Sequence, residues 1–155
     1  MKDIKLRRYE NLLTVSGVGV IALGLWSVIK TILLLFFRDD LLADMPDDPL
    51  AWVILYIMIG FILLIIFLIH LFVGLSARSE GFGKKKGYLY IVVAIFMVLF
   101  SLASIVMIFV NTNESSLLEM IVSLIVEATA LIVMIELLVA AFTVKKLRKK
   151  LGEAQ

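Results

Sequence analysis

The chain has 155 residues, of which 63% are hydrophobic and 18% are charged, and its mean hydropathy is +1.11. A soluble globular domain contains far fewer apolar residues, so this composition indicates an integral membrane protein. One membrane bundle with short connections fills a chain of this length. We therefore expect a single domain over residues 1–155, with no separate soluble catalytic domain.

The chain contains no cysteine and a single histidine, His70. Without thiols there is no disulfide redox centre, iron–sulfur cluster, thiolate zinc site or cysteine nucleophile. One histidine cannot supply both axial imidazoles of a haem within a monomer. We therefore expect no cofactor and no bound metal.

The first predicted span covers residues 12–37 and follows a basic segment, Met1 to Glu10. This apolar run is too long for the core of a signal peptide and no small-residue cleavage site follows it, so we expect a retained helix. A segment with five aspartates and two prolines, Arg38 to Pro49, ends the span and predicts a loop. The spacing of these aspartates matches no calcium-binding loop.

Three more apolar runs predict spans over residues 50–77, 87–110 and 117–144. A glycine-rich basic connector, Arg78 to Lys86, separates the first two of these runs, and a polar turn, Asn111 to Ser116, separates the last two. A segment within a bilayer has to satisfy its own backbone hydrogen bonds. The sequence therefore predicts an all-α fold, a four-helix transmembrane bundle with short loops.

The lysines and arginines predict the orientation of the bundle. Of fifteen, four precede Glu10, four lie between Arg78 and Lys86, and five follow Val144. The other two connections contain only Arg38. Because positive loops stay inside, we expect a multi-pass protein of the cell membrane with its N- and C-termini in the cytoplasm, N-in and C-in.

Small residues predict the faces on which the helices pack, because helices in a bilayer associate by close approach of their backbones. Gly17, Gly24 and Thr31 recur every seven residues in the first span. The second span has Gly60, His70 and Gly74 on one stripe.

The fourth span carries acidic residues on two opposite faces. Nine residues at about 100° each place Glu127 and Glu136 on opposite sides of a helix. Since a carboxylate facing lipid is expensive, we expect one face to pack inside the bundle and the other to meet a homo-oligomer partner or a different membrane protein. The residues predicted for this partner interface are Thr129, Val133, Ala140 and Thr143.

Four ionisable side chains are expected deep in the spans, in two layers. Lys30 and Glu127 are each eight residues from a charged residue at the outer edge, and His70 and Glu136 are eight and nine residues from one at the inner edge. Intramembrane ionisable residues often handle ions or protons, which makes all four candidates for transport. The structural alternative is an interhelical bridge from Lys30 to Glu127 and a hydrogen bond from His70 to a neighbouring helix.

The basic residues at the cytoplasmic edge are expected to contact anionic lipids. The glycines and lysines of the connector do not form a phosphate-binding loop, and the distribution of charge weighs against a nucleic-acid partner. The lipid-contact candidates are Lys84, Lys85, Lys86, Lys145, Lys146, Arg148, Lys149 and Lys150.

Three functions are compatible with these patterns. The first is an oligomeric transporter or channel-type protein that moves a small ion or polar solute by means of intramembrane acids. The second is a non-catalytic accessory or scaffold subunit that holds a partner through the fourth span. The third, a membrane-embedded enzyme acting on a lipid-like substrate, has no nucleophile–base pair or ligand cluster to support it in the sequence.

Overall fold

A computed structural model describes residues 2–37, 49–110 and 117–152. These residues form four helices: α1 (Lys2–Phe37), α2 (Pro49–Gly81), α3 (Leu89–Val110) and α4 (Leu117–Gly152). All four are long and apolar enough to cross a membrane, which confirms the prediction of an all-helical chain with four candidate spans. The predicted aspartate-rich loop, apart from Pro49, and the predicted polar turn lie outside the described residues.

Three helices extend beyond their predicted spans at the same end of the bundle. The basic segment before the first span is helical from Lys2, α2 continues to Gly81, and α4 continues through its basic tail to Gly152. We call this end the basic end, and the opposite end the far end. The apolar part of each of these helices ends where the bilayer is expected to end, whereas the backbone hydrogen bonds of the helix continue beyond that point.

Gly83 ends α2 with a change of backbone direction. Its φ of 90° lies in the left-handed region, which glycine adopts without steric cost. The amide of Lys84 donates to the carbonyl of Ser79, and the amide of Gly83 donates to that of Glu80. This is the Schellman pattern of a helix C-terminus, and it places Arg78, Ser79 and Glu80 inside α2 rather than in the predicted connector.

The helices form a ring in which α1 packs on α2 and α4, and α3 packs on α4. The contact between α2 and α3 is slight. A Cβ at Gly17 would lie 2.7 Å from the carbonyl oxygen of Gly74, and a Cβ at Gly24 would lie 2.5 Å from the Cβ of His70. The predicted small-residue faces of α1 and α2 therefore meet. Gly60 is exposed, and a Cβ added there would meet no atom within 4 Å. The prediction that Gly60 lies on the packing face of α2 is therefore wrong.

The buried core lies in the half of the bundle next to the basic end. In contrast, no residue of α2 between Pro49 and Phe72 is buried. The helices therefore pack closely at the basic end and separate toward the far end. The largest fully buried side chains are Leu13, Val20, Val73, Glu80, Tyr90, Ile91, Leu137 and Val144.

Candidate functional site: a central cavity and a buried ionic network

A cavity of about 820 Å³ lies between the four helices, beyond the packed core. This volume is within the range of sites that bind small molecules. Aromatic and methionine side chains form much of its apolar wall, including Trp26, Phe100 and Met107. Its polar lining consists of Ser27, Lys30, Thr31, His70, Ser101, Ser104 and Glu127.

Three of the four predicted intramembrane ionisable residues thus face one cavity. Lys30 comes from α1, His70 from α2 and Glu127 from α4, so three helices place them there. Small residues spaced seven apart allow α1 to pack closely against α2. Lys30 follows Gly24 by less than two turns of α1, so it lies just beyond this close contact. The three residues therefore line one mainly apolar cavity rather than the two predicted layers.

Glu127 is half-buried in the cavity wall. The hydroxyl of Ser101, on α3, donates a hydrogen bond of 3.2 Å to Oε2 of Glu127. Ser104 lies one turn further along α3 and lines the same cavity. A carboxylate accepts several hydrogen bonds, so one from Ser101 leaves capacity for a cation, a proton or a donor group of a solute.

His70 is oriented by its own helix. Its Nδ1 lies 2.8 Å from the carbonyl oxygen of Ile66, one turn earlier. A carbonyl only accepts, so Nδ1 is the protonated nitrogen and Nε2 of the neutral ring is an acceptor. The predicted hydrogen bond to a neighbouring helix is therefore replaced by a bond within α2, while Gly24 of α1 packs against the ring.

Lys30 faces the cavity without an ion pair in the part of the chain that the structure describes. The predicted bridge between Lys30 and Glu127 is thus absent among the described residues, although both line the same cavity.

Glu136 does not join His70 as the predicted inner layer requires. It is exposed on the outside of α4 and does not line the cavity. Residues nine apart point to opposite sides of a helix. Since Glu127 faces the inside of the bundle, Glu136 faces the outside.

The four residues predicted for a partner interface are divided between two environments. Thr129 is exposed, and its hydroxyl donates to the carbonyl of Ile125. Ala140 is 0% exposed inside the core. Val133 packs against α1, since a Cβ added at Gly19 would lie 3.0 Å from the Val133 side chain. Thr143 is half-buried. Helix α4 packs on both α1 and α3, so this stripe is partly covered within one copy of the chain.

The basic end contains an ionic network around Glu80 that the sequence analysis did not predict. Glu80 is 2% exposed. The hydroxyl of Tyr90 donates to its Oε2 at 2.5 Å, and Nζ of Lys145 lies 3.0 Å from its Oε1. Arg148 donates to the backbone carbonyl of Glu80 at 2.7 Å and to Oε1 of Glu10 at 2.6 Å. The network therefore connects all four helices.

The charges in this network balance, because Glu80 and Glu10 face Lys145 and Arg148. A buried ion pair is tolerated when its remaining hydrogen-bonding groups are satisfied. Nζ of Lys145 also donates to the carbonyl of Lys86 at 2.6 Å and lies 4.7 Å above the ring of Tyr88. Lys145 and Arg148 are thus turned inward, whereas six of the eight predicted lipid-contact residues are exposed: Lys84, Lys85, Lys86, Lys146, Lys149 and Lys150.

Glu80 was missed because the connector was expected to begin at Arg78, where an acid is an ordinary solvated residue. A helical interpretation would have changed this. Continuing α2 through Ala77 places Glu80 one turn after Ser76, on the same face, which is buried.

No protein-family model, no curated protein and no solved structure matches the chain. The cavity can bind a small charged or polar solute, and the ionic network can hold the helices together at the basic end.

Proposed function

We propose that this protein is a membrane transport protein that binds a small ion or polar solute in the central cavity. The observation that carries the proposal is the convergence of Lys30, His70 and Glu127 on one cavity within a bundle of apolar helices. Ionisable side chains are costly inside a bilayer and mark substrate or ion pathways when they face the interior of the bundle.

In this proposal Glu127 binds the cationic group of the solute, or the proton that accompanies it. Ser101 orients the carboxylate from α3. Lys30, from α1, supplies a positive charge in the same cavity, and the Nε2 of His70 accepts a proton or a hydrogen bond.

The packed half of the bundle serves as the barrier to leakage. Between the cavity and the basic end lies a core that includes Val73, Met134 and Leu137, followed by the network around Glu80. A transporter requires a closed side at any moment, and a dry core followed by a satisfied ionic network meets this requirement.

We propose that the basic end faces the cytoplasm, with both termini inside. The start of α1, the segment from Arg78 to Lys86 and the end of α4 carry all the lysines and arginines of the chain except Lys30 and Arg38, and they lie together at this end. This is the distribution that the positive-inside rule describes.

The function is tested with purified protein in vesicles that contain a pH-sensitive dye and an imposed proton gradient, alone and with a panel of small organic cations and zwitterions outside. We expect the natural chain to move protons or solute and Glu127→Gln to abolish this movement, because the neutral amide has no negative charge to attract a cation and does not exchange a proton at this pH. Glu136→Gln is the matched control on the same helix, and it should remain active.

The proposal is overturned if the natural chain moves neither protons nor any solute of the panel. It is also overturned if Glu127→Gln combined with Lys30→Met is as active as the natural chain, since the charged wall would then be structural only. Size-exclusion chromatography of each variant establishes that loss of movement is not loss of folding.

A second candidate function, that of an accessory subunit, is favoured by the exposed surfaces. The far half of α2 has no buried residue, and α4 exposes Glu136 next to Ile132 and Val139. A partner that covers these surfaces would explain a carboxylate there. Co-purification of one stoichiometric membrane protein, together with absence of transport by the isolated chain, would favour this function.

A further inference from the structure

A second cavity, of about 530 Å³, lies on the outside of the bundle at the basic end. We call it the basic groove. It lies between the last turns of α2 and the connection to α3, and it is separate from the central cavity. Its lining includes Phe72, Leu75, Arg78, Ser79, Lys84 and Lys86.

The groove has a positive part and an apolar part. Arg78, Lys84 and Lys86 contribute three cations, and no acidic side chain lines it within the described residues. Phe72 and Leu75 continue the groove along the outside of α2, where both are about half exposed. A ligand that fits has an anionic group beside an apolar chain.

Arg78 is positioned for such a ligand. Its guanidinium lies 5.6 Å from the centroid of the Phe82 ring, which holds the side chain over the groove. No ion pair of Arg78 with a carboxylate occurs within the described part of the chain. A planar guanidinium forms two parallel hydrogen bonds to a phosphate, and Ser79 offers a hydroxyl beside it.

The groove is preformed, because α4 holds the segment that carries its lysines. Nζ of Lys145 donates to the carbonyl of Lys86, and Arg148 donates to that of Lys84 at 3.5 Å. The side chains of Lys84 and Lys86 remain exposed. Little conformational entropy of the backbone is therefore lost when a ligand binds.

The depth of the groove matches the border between lipid headgroups and acyl chains. Helix α3 has 22 residues, which corresponds to about 33 Å and is close to the thickness of the hydrocarbon core. Its start is thus at the border, and Tyr90 in its first turn contacts Glu80 of α2. Arg78 precedes Glu80 by two residues, about 3 Å along the axis of α2, and Phe72 lies about 9 Å deeper than Arg78.

We propose that the basic groove is a binding site for an anionic glycerophospholipid. The phosphate lies among Arg78, Ser79 and Lys84, and Lys86 contributes a further positive charge. One acyl chain follows Phe72 and Leu75 along α2. This site is more specific than contact of surface lysines with a charged membrane, and it does not depend on the transport proposal.

Native mass spectrometry of the full chain in detergent tests the site by titration with phosphatidylglycerol, phosphatidylcholine of the same acyl chains, or inorganic phosphate. We expect phosphatidylglycerol to bind in preference to phosphatidylcholine. Arg78→Gln and Lys84→Gln should each weaken it about fivefold, the effect of one basic residue near a lipid headgroup. Equimolar inorganic phosphate should not displace it, since it lacks the acyl chain.

Lys85→Gln is the matched control, because Lys85 belongs to the same segment and carries the same charge but does not line the groove. Its affinity for phosphatidylglycerol should be unchanged. Three results would each overturn the proposal: equal binding of the two lipids, equal weakening by Lys84→Gln and Lys85→Gln, or displacement of the lipid by equimolar phosphate, which would indicate a site for a small anion. Unchanged elution from a size-exclusion column verifies that each variant is folded.

Discussion

Glu80 has polar partners on three sides, which makes its burial possible. The Tyr90 hydroxyl satisfies one carboxylate oxygen, Lys145 approaches the other, and Arg148 lies 3.9 Å from that second oxygen. In a low-dielectric environment such a group stabilises the fold only while its partners are present. Replacing one member is therefore expected to lower the free energy of unfolding by more than the intact pair contributes to it.

Substitution of Glu80 should be strongly destabilising. Glu80→Gln leaves Lys145, whose side chain is 13% exposed, beside a neutral amide, and breaking a buried pair in this way costs about 3 kcal/mol. Equilibrium unfolding in mixed micelles of detergent and dodecyl sulfate measures the loss. Glu136→Gln, on the exposed side of α4, is the control and should change the free energy of unfolding little.

The double variant separates the pair from its surroundings. Glu80→Gln combined with Lys145→Met should be less destabilising than the sum of the two single variants, since neither charge is then left alone. Strict additivity would show that Glu80 and Lys145 do not interact.

At the residue scale, the sequence pointed to three ionisable residues that the structure places around one cavity, but it did not predict their hydrogen-bond and ion-pair partners. Lys30, His70 and Glu127 were predicted from their position in apolar runs, and they line one cavity. Their partners depend on how each helix is rotated about its axis, and the sequence does not define this rotation. Glu80 was not predicted because the last turn of α2 was expected to belong to the connector.

The pair of helices α1 and α2 is the most closely packed element of the fold, and glycines make this possible. A Cβ added at Gly17 would lie 2.7 Å from the carbonyl oxygen of Gly74, and a Cβ added at Gly74 would lie 2.5 Å from that of Gly17. Neither position has room for a side chain. Without a hydrophobic driving force between helices in lipid, such backbone proximity is the main source of attraction.

An added methyl group distinguishes glycines that pack from glycines that do not. In Gly74→Ala the new Cβ would lie 2.5 Å from the carbonyl oxygen of Gly17, and the resulting separation of α1 and α2 should cost roughly 2 kcal/mol. In Gly60→Ala nothing lies within 4 Å, so the higher helix propensity of alanine should leave stability equal or slightly higher. Thermal unfolding of both variants in the same detergent makes the comparison, and equal midpoints would contradict the close contact.

At the element scale, hydropathy predicted the number and type of the helices because a run of apolar residues in a bilayer has no other regular structure available. It did not predict their ends. Helix α2 ends at a glycine-dependent turn, and α1 begins within a charged segment. Helix ends depend on capping hydrogen bonds, which hydropathy does not report.

One copy of the chain leaves much apolar surface on the outside of α2 and α4. Lipid can cover such a surface, but it does not stabilise the carboxylate of Glu136. This supports the proposal of a second subunit or another membrane protein at α4. Val133 is half-buried and Ala140 is fully buried, so the centre of the proposed contact moves toward Glu136, Thr129 and the exposed apolar residues beside them.

Crosslinking through single cysteines tests this contact, since the natural chain contains none. We expect Glu136→Cys and Thr129→Cys in native membranes to give a product of twice the mass of the chain, or one larger band that contains a partner. Leu137→Cys, at a position that is 0% exposed, is the control and should give neither. Absence of any product from both exposed positions would contradict an oligomer or partner at α4.

The ionic network at the basic end joins residues that are far apart in the chain, which affects the order in which the protein becomes complete during synthesis. Arg148 follows Glu80 by 68 residues and Glu10 by 138 residues. When the α1–α2 hairpin enters the membrane, neither acid has the cation that will neutralise it. Helix α4 is the last of the four helices to be made, and its arrival supplies the cations Lys145 and Arg148. A chain that ends before α4 therefore carries two acids, Glu10 and Glu80, that lack the cations with which they pair in the complete bundle.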